Sequence, residues 1–223
     1  KWEDRDYFIM SAGHGSALLY STLFMSGYDI SIDDLKRFRR IGSITPGHPE
    51  LITPGVECAT GPLGQGIATS VGIALGLKMK NKNSKVYTLV GDGDLMEGVS
   101  SEACSLAGTL NLNNLVILYD SNDVSLDGST KYTFNENVRD KFKALGFNTM
   151  LVDGTNLKDI EESLRSINSD KPLFIEYKTT IGKDLVGEGT NKVHGGVISR
   201  DEIDKLKSIY GIPNIEFYYD NNI

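Results

Sequence analysis

The sequence predicts a three-layer α/β/α fold around a mostly parallel sheet, and three observations carry that expectation. From residue 64 onward, apolar runs of strand length alternate with stretches of helical period, the pattern of a parallel sheet covered on both faces. One such run, 86–90, is closed by Gly91-Asp92-Gly93. A second, 115–119, is followed by Asn122, thirty positions after Asp92. Parallel neighbouring strands would bring Asp92 and Asn122 to the carboxyl edge of the sheet, where open α/β folds bind ligands.

Ser31-x-x-Asp34 ahead of Leu35 and Phe38 has the form of a capping box opening a short helix. Residues 41–66 are dense in Gly, Pro and Thr and read as an irregular loop at the ligand edge. Ile67, Val71, Ala74 and Leu75 share one helical face, so 64–80 is predicted helical. Gly72 and Gly76 on that helix predict close packing against a neighbour. After the 86–90 strand come a helix near 98–110, the 115–119 strand and a turn-rich loop over 123–135. Phe142 and Leu145 belong to a helix ending at Gly146. A strand over 148–152, a helix carrying Leu157, Ile160, Leu164 and Ile167, and a strand over 173–177 follow. Residues 182–196 form a glycine-rich loop, and Ser199-x-x-Glu202 caps a last helix with Ile203, Leu206 and Ile209. The glycine-bearing stretches 41–66, 91–98 with 120–130, and 182–196 follow elements that can end on one edge, and so can converge on one site.

A chain of 223 residues suits one large domain or a rather compact pair. Its 24 glycines fall in clusters, which points to backbone-lined ligand sites. A net charge of −7 argues against a broad nucleic-acid surface. The local basic run Lys36-Arg37-Phe38-Arg39-Arg40 reads mostly as a solvated helix face. Cys58 and Cys104 form no CxxC pair and are expected as buried reduced thiols of a cytoplasmic protein. No apolar run reaches membrane-spanning length and no signal peptide opens the chain, so no membrane partner is expected. The chain begins on Lys1-Trp2, and the natural N-terminus is expected to lie upstream.

Asp92 and Asn122 supply a carboxylate and an amide oxygen, hard ligands for Mg²⁺ or Ca²⁺. The glycines flanking Asp92 allow backbone N–H groups to approach an anion. Together they suggest a metal-bridged diphosphate, with the Val124 carbonyl as an expected third protein ligand. Gly61-Pro62-Leu63-Gly64-Gln65-Gly66 precedes a helix; it can cradle an anion or a ring, or serve as a helix-start turn. The three histidines, His14, His48 and His194, all sit among loop glycines, a setting that favours ligand contact. Their spacing does not match a zinc site. Glu97 and Glu102 are explained sufficiently by a solvated first helical turn.

These blocks together resemble transketolase. The matching stretches are Ser11-Ala-Gly-His-Gly-Ser16, Thr45-Pro-Gly-His-Pro-Glu50, Gly61-Pro-Leu-Gly-Gln-Gly66, Gly91-Asp-Gly-Asp-Leu-Met-Glu-Gly98, Ala103-Cys-Ser-Leu-Ala-Gly-Thr-Leu110, Lys178-Thr-Thr-Ile-Gly182 and Gly189-Thr…Val193-His-Gly195. The resemblance runs over essentially the whole of 1–223. It implies a thiamine diphosphate-binding fold, here a single diphosphate-binding domain lacking its first segment, with the pyrimidine-binding and C-terminal domains absent. It implies a transferase that moves a two-carbon ketol unit from a ketose phosphate to an aldose phosphate in the pentose phosphate pathway, inactive as this chain alone. By resemblance, Asp92, Asn122 and the Val124 carbonyl hold Mg²⁺ (or Ca²⁺ or Mn²⁺). Gly93, His14 and His194 meet the cofactor diphosphate. Gly61 to Gly66, with Leu63 foremost, line its rings, and Leu126 and Ile181 touch the thiazolium.

His48, with His194 second, is expected to exchange the substrate's hydroxyl proton. His14, His48, His194 and Arg39 are expected to meet the sugar phosphate. Glu97 and Glu102 match acidic positions at the interface where two complete units of the family form a homodimer, positions that by resemblance relay protons between the two active sites. The expected partner is a pyrimidine-binding domain or subunit, whose activating glutamate has no counterpart here. Asp94 and Asp123 stand where the family usually has small or neutral residues; they add negative charge near the metal, and are expected either to weaken diphosphate binding or to point outward. Two other readings are a related thiamine diphosphate enzyme, such as 1-deoxyxylulose-5-phosphate synthase, and a non-catalytic assembly domain. The Thr45–Glu50 and Gly61–Gly66 blocks argue against the synthase.

Overall fold

A computed structural model describes residues 4–220; Lys1 and Trp2 lie outside the described residues. In chain order the elements are β1 (Tyr7–Met10), α1 (Ser16–Met25), α2 (Ile32–Lys36), α3 (Gln65–Met79), β2 (Val86–Gly91), α4 (Asp92–Met96), α5 (Gly98–Thr109) and β3 (Leu115–Ser121). Then come β4 (Val124–Ser125), β5 (Gly128–Ser129), α6 (Val138–Ala144), β6 (Asn148–Asp153), α7 (Leu157–Arg165), β7 (Leu173–Lys178) and α8 (Arg200–Ile209). The chain divides into two compact units. One holds 1–121 and 136–179; the other holds 122–135 and 180–223.

The first unit carries a five-stranded sheet in the order β1-β2-β3-β7-β6, and every pairing in it is parallel. The composition of the inner strands explains this. Leu173 to Tyr177 of β7 are all buried, and strands covered on both faces read as continuous apolar runs. Val116, Val152, Leu173, Ile175 and Tyr177 form one core cluster, with Ile160 of α7 packed against it. A second cluster, Met10, Leu19, Tyr20, Leu23, Ile30 and Val56, seats α1. The register sets Gly91 opposite Asp120, so β2 and β3 end side by side at the carboxyl edge. That is the arrangement expected from the spacing of Asp92 and Asn122.

Local chemistry fixes the helix starts. The Ser31 hydroxyl accepts the Asp34 N–H at 3.1 Å, while the Asp34 carboxylate accepts the Ser31 N–H at 2.9 Å, the expected capping box of α2. Ser199 and Glu202 do the same for α8. Three findings differ from the sequence expectations. β1 and α1 carried no periodic signal, β1 because it is four residues long and α1 because it is apolar on most of its circumference. Residues 92–96, read as loop, form the helix α4. Finally, a Cβ at Gly72 or Gly76 would meet nothing within 4 Å, so those glycines of α3 are not close-packing positions among the described residues. They lie on a face of the helix that Met79, 74% exposed, also shares.

The second unit is loop-rich. β4 and β5 form a two-residue antiparallel ladder, Val124 opposite Ser129 and Ser125 opposite Gly128. Asp123, at φ 61°, makes the left-handed turn into β4, a conformation asparagine and aspartate tolerate better than most residues. Val186 N–H donates to Glu202 at 3.3 Å, and Tyr210 donates its hydroxyl to Asp184 at 2.5 Å, tying α8 to the 182–189 loop.

Candidate functional site

In the first unit, three loops meet at the carboxyl ends of β1 and β2. β1 runs into Ser11 and Ala12, then a 3₁₀ turn, Gly13–Gly15, that carries His14. A Cβ on Gly13 would lie 2.9 Å from the Gly61 nitrogen, so the His14 turn and the Gly61–Gly66 loop are in backbone contact. Only glycine permits that approach. Thr60 closes the same junction by donating its hydroxyl to the Met10 carbonyl at 2.8 Å.

The His48 loop is moored to α1. Ser16 donates to the Gly47 carbonyl at 2.8 Å and Tyr20 to the His48 carbonyl at 2.9 Å. Burial raises the Tyr20 phenol above its ordinary range, which keeps it a donor. The His48 ring lies beside Gly61, whose Cβ would be 3.5 Å from the imidazole Cγ. Arg39, at φ 62°, lays its guanidinium across Gly47, where a Cβ would stand 2.9 Å from Nε. His14, His48 and Arg39 are all exposed, each held on a loop whose backbone is anchored.

Asp92 is the first residue of α4 and is 4% exposed. Tyr119 of β3 donates its hydroxyl to Asp92 Oδ1 at 2.7 Å. Burial and the adjacent Asp92 carboxylate push the Tyr119 phenol well above its usual range, so it stays protonated. Sequence reasoning missed Tyr119, because a tyrosine inside an apolar run reads as core. The signal available was the parity of β3 with β2, which sets its ring near the strand-end aspartate. A Cβ at Gly93 would come within 3.0 Å of Leu63 Cδ1, so the Gly93 backbone and the expected ring-lining residue are neighbours.

Asp94 does not point outward. It is fully buried. Its Oδ1 accepts the Ser11 hydroxyl at 2.6 Å and the Gly64 N–H at 2.9 Å, and its Oδ2 accepts the Gly91 N–H at 3.1 Å. The added negative charge is therefore spent on internal donors. Glu97 and Glu102 are exposed, Glu97 at the junction of α4 and α5 and Glu102 on α5.

The end of β3 is fixed by a polar network. Ser121 donates to Glu176 Oε1 at 3.0 Å and Arg139 Nε donates to Oε2 at 2.8 Å. Lys178 Nζ donates to Ser121 Oγ at 2.8 Å, and Thr179 donates its hydroxyl to Asp120. Ser121 is the residue before Asn122.

The remaining sequence-predicted residues lie in the second unit. Asn122 Oδ1 accepts the Val124 N–H at 3.1 Å, an Asx turn that sets the hairpin. Val124 is 6% exposed and Leu126 67%. Asn191 Nδ2 donates to the Leu126 carbonyl at 3.5 Å, and Gly189 N–H to the Ile181 carbonyl at 2.9 Å. A Cβ at Gly182 would strike Val193 at 2.5 Å, so the Ile181 and His194 segments pack together. Among the described residues no three His, Cys, Asp or Glu side chains cluster as metal ligands. No helix among them is long and apolar enough to cross a membrane.

A parallel α/β sheet with glycine-built loops at its carboxyl edge is the setting of a ligand site, and the family match makes the class a thiamine diphosphate-binding domain. All of 1–223 matches the family model described as transketolase, thiamine diphosphate binding domain, and the chain belongs to that family. It is 49% identical to the transketolase of Geobacillus stearothermophilus over 98% of its own length and 35% of the relative's. Among solved structures, Campylobacter jejuni transketolase superposes with a TM-score of 0.96 at 46% identity, over 98% of this chain and 36% of that one. Pichia stipitis transketolase in complex with sedoheptulose-7-phosphate gives 0.92 at 43% identity, over 96% of this chain and 34% of that one. The chain thus spans about a third of the length of the relatives it matches.

Proposed function

We propose that this chain is the diphosphate-binding part of a transketolase, which with a pyrimidine-binding partner moves a two-carbon ketol unit from a ketose phosphate to an aldose phosphate. The observation that carries the reading is the backbone contact of the His14 turn with the Gly61–Gly66 loop, beside His48. Relatives matched over their N-terminal third are transketolases, and one matching structure holds a ketose phosphate.

Asp92, Asn122 and the Val124 carbonyl are the proposed metal ligands. One carboxylate among three hard oxygen donors leaves room for diphosphate oxygens in the octahedron of Mg²⁺. Thiamine diphosphate, when bound, supplies a carbon nucleophile and an electron sink for cleaving the bond next to a carbonyl. The chain's residues do the rest. Gly93, His14 and His194 bind the diphosphate; Gly61, Leu63, Leu126 and Ile181 exclude water from the rings. His48 takes the hydroxyl proton of the donor and returns it to the acceptor, with His194 as second candidate. His14 and Arg39 orient the sugar phosphate, and the guanidinium held across Gly47 supports that role for Arg39.

Glu97 and Glu102, both exposed, are proposed to lie where two complete units dimerise. The free thiols Cys58 and Cys104 suit a reducing cytoplasm. The test is calorimetric titration of thiamine diphosphate with Mg²⁺ into the assembled enzyme, alongside ketol transfer between sugar phosphates. Binding lost in Asp92→Ala and transfer lost in His48→Ala support the reading. Use of pyruvate as donor in place of a ketose phosphate, or no binding by a verified assembly, overturns it.

A further inference from the structure

Asp94 is a fully buried carboxylate whose three donors come from three separate segments. Ser11 directly follows β1, Gly64 precedes α3 as its N-cap, and Gly91 ends β2. Gly64 is the N-cap of α3 at φ 78°, with no side chain of its own to cap the helix. Asp94, from another element, accepts the N–H of that N-cap residue, and within its own turn it does the same for Gly91, the N-cap residue of α4. Its carbonyl accepts the Ser100 hydroxyl at 2.5 Å, which fixes the α4–α5 junction from the other side. No lysine or arginine among the described residues pairs with it; its charge is balanced by N–H and O–H dipoles and by two helix N-termini. The loop it tethers carries Leu63, and the turn it sits in carries Gly93, which lies against Leu63 Cδ1.

We propose that Asp94 is a positioning residue that locks the ring-lining Gly61–Gly66 loop onto the diphosphate-facing Gly91–Gly93 turn, so that both ends of thiamine diphosphate are met in one register. The inference rests on the function proposed above. Each carboxylate oxygen faces a backbone N–H, a donor that cannot reverse. Asp94→Asn keeps the volume but in either flip sets an amide N–H against one of those donors. Asp94→Ala removes all three hydrogen bonds to the carboxylate.

The test compares two probes on the assembled enzyme, thiamine diphosphate with Mg²⁺ and inorganic pyrophosphate with Mg²⁺, by calorimetry. A positioning role predicts thiamine diphosphate affinity about tenfold or more weaker in Asp94→Ala, and pyrophosphate affinity within about threefold of wild type, the scale of outer-shell effects. Asp94→Asn falls between, and should Asp94→Ala fail to fold, Asp94→Asn decides by the same split. Equal weakening of both probes, or no weakening of either, overturns the proposal while leaving the cofactor site standing. Wild-type protein that binds neither probe overturns the function beneath it as well.

Discussion

Tyr119→Phe isolates one hydrogen bond. The ring keeps its packing, with its centroid 5.7 Å from that of Phe174. What is lost is the hydroxyl 2.7 Å from Asp92 Oδ1, with both groups buried. Hydrogen bonds to ionised acceptors contribute about 1.5–3 kcal/mol. In a chain of this size each kcal/mol moves Tm by about 2–4 °C, so a fall of roughly 3–12 °C is expected by circular dichroism melting. The same bond orients a proposed metal ligand. Mg²⁺–thiamine diphosphate affinity of the assembled enzyme should therefore drop about 10–100-fold, as for other outer-shell partners of a ligand. A variant that melts within about 1 °C of wild type and binds the cofactor equally well would refute the reasoning, because the hydroxyl would then contribute less than any hydrogen bond to a buried carboxylate should.

Two glycines of α3 predict opposite signs. In Gly66→Ala the new Cβ would sit 2.5 Å from Ser11 Cα, which is backbone. Overpacking of about 2–3 kcal/mol then exceeds the roughly 1 kcal/mol of helix propensity gained, and Tm falls. Gly72→Ala meets nothing within 4 Å, so in this chain Tm rises, by about 0.5–1 kcal/mol of stability. Glu176→Ala strips the partner from Ser121 and Arg139 and should cost about 1–3 kcal/mol in chemical denaturation. Burial pushes the Cys104 thiol from 9.0 up to about 12. A folded pKa above the unfolded one gives stability that is full below 9.0 and lost as pH climbs toward 12. The stability profile of Cys104→Ala should be flatter across that window, and alkylation of native protein at about pH 8.5 should reach half-buried Cys58 well before Cys104.

The parts legible in the sequence are those with local signals. The capping boxes at Ser31 and Ser199, the apolar runs of β3 and β7, and the spacing of Asp92 and Asn122 each follow from a few adjacent residues. What escaped has no local period. α1 is apolar on most sides because it is seated on the core cluster with Met10 and Val56 while Leu18 and Met25 stay exposed. Asp94 looked like surplus charge, because its partners Ser11 and Gly64 are distant in sequence and meet it only after the sheet has formed. Gly72 and Gly76 failed in the other direction: small residues on a helix signal a close neighbour only where a neighbour is present.

The strand order carries a consequence for how the chain acquires its site. Tyr7 pairs with Val86, and Val116 with Leu173, so every sheet contact beside the loops closes a long stretch of chain. Such non-local pairing is slow to form, since loop-closure entropy is spent before the contacts reward it. The Asp94 junction needs β1, β2 and the start of α3 in place at once. During synthesis, the loops of His14 and His48 will have left the ribosome long before β2 exists to support them. Their order is then a late folding event, and the short segment around β1 is where a folding chaperone would have most to shield.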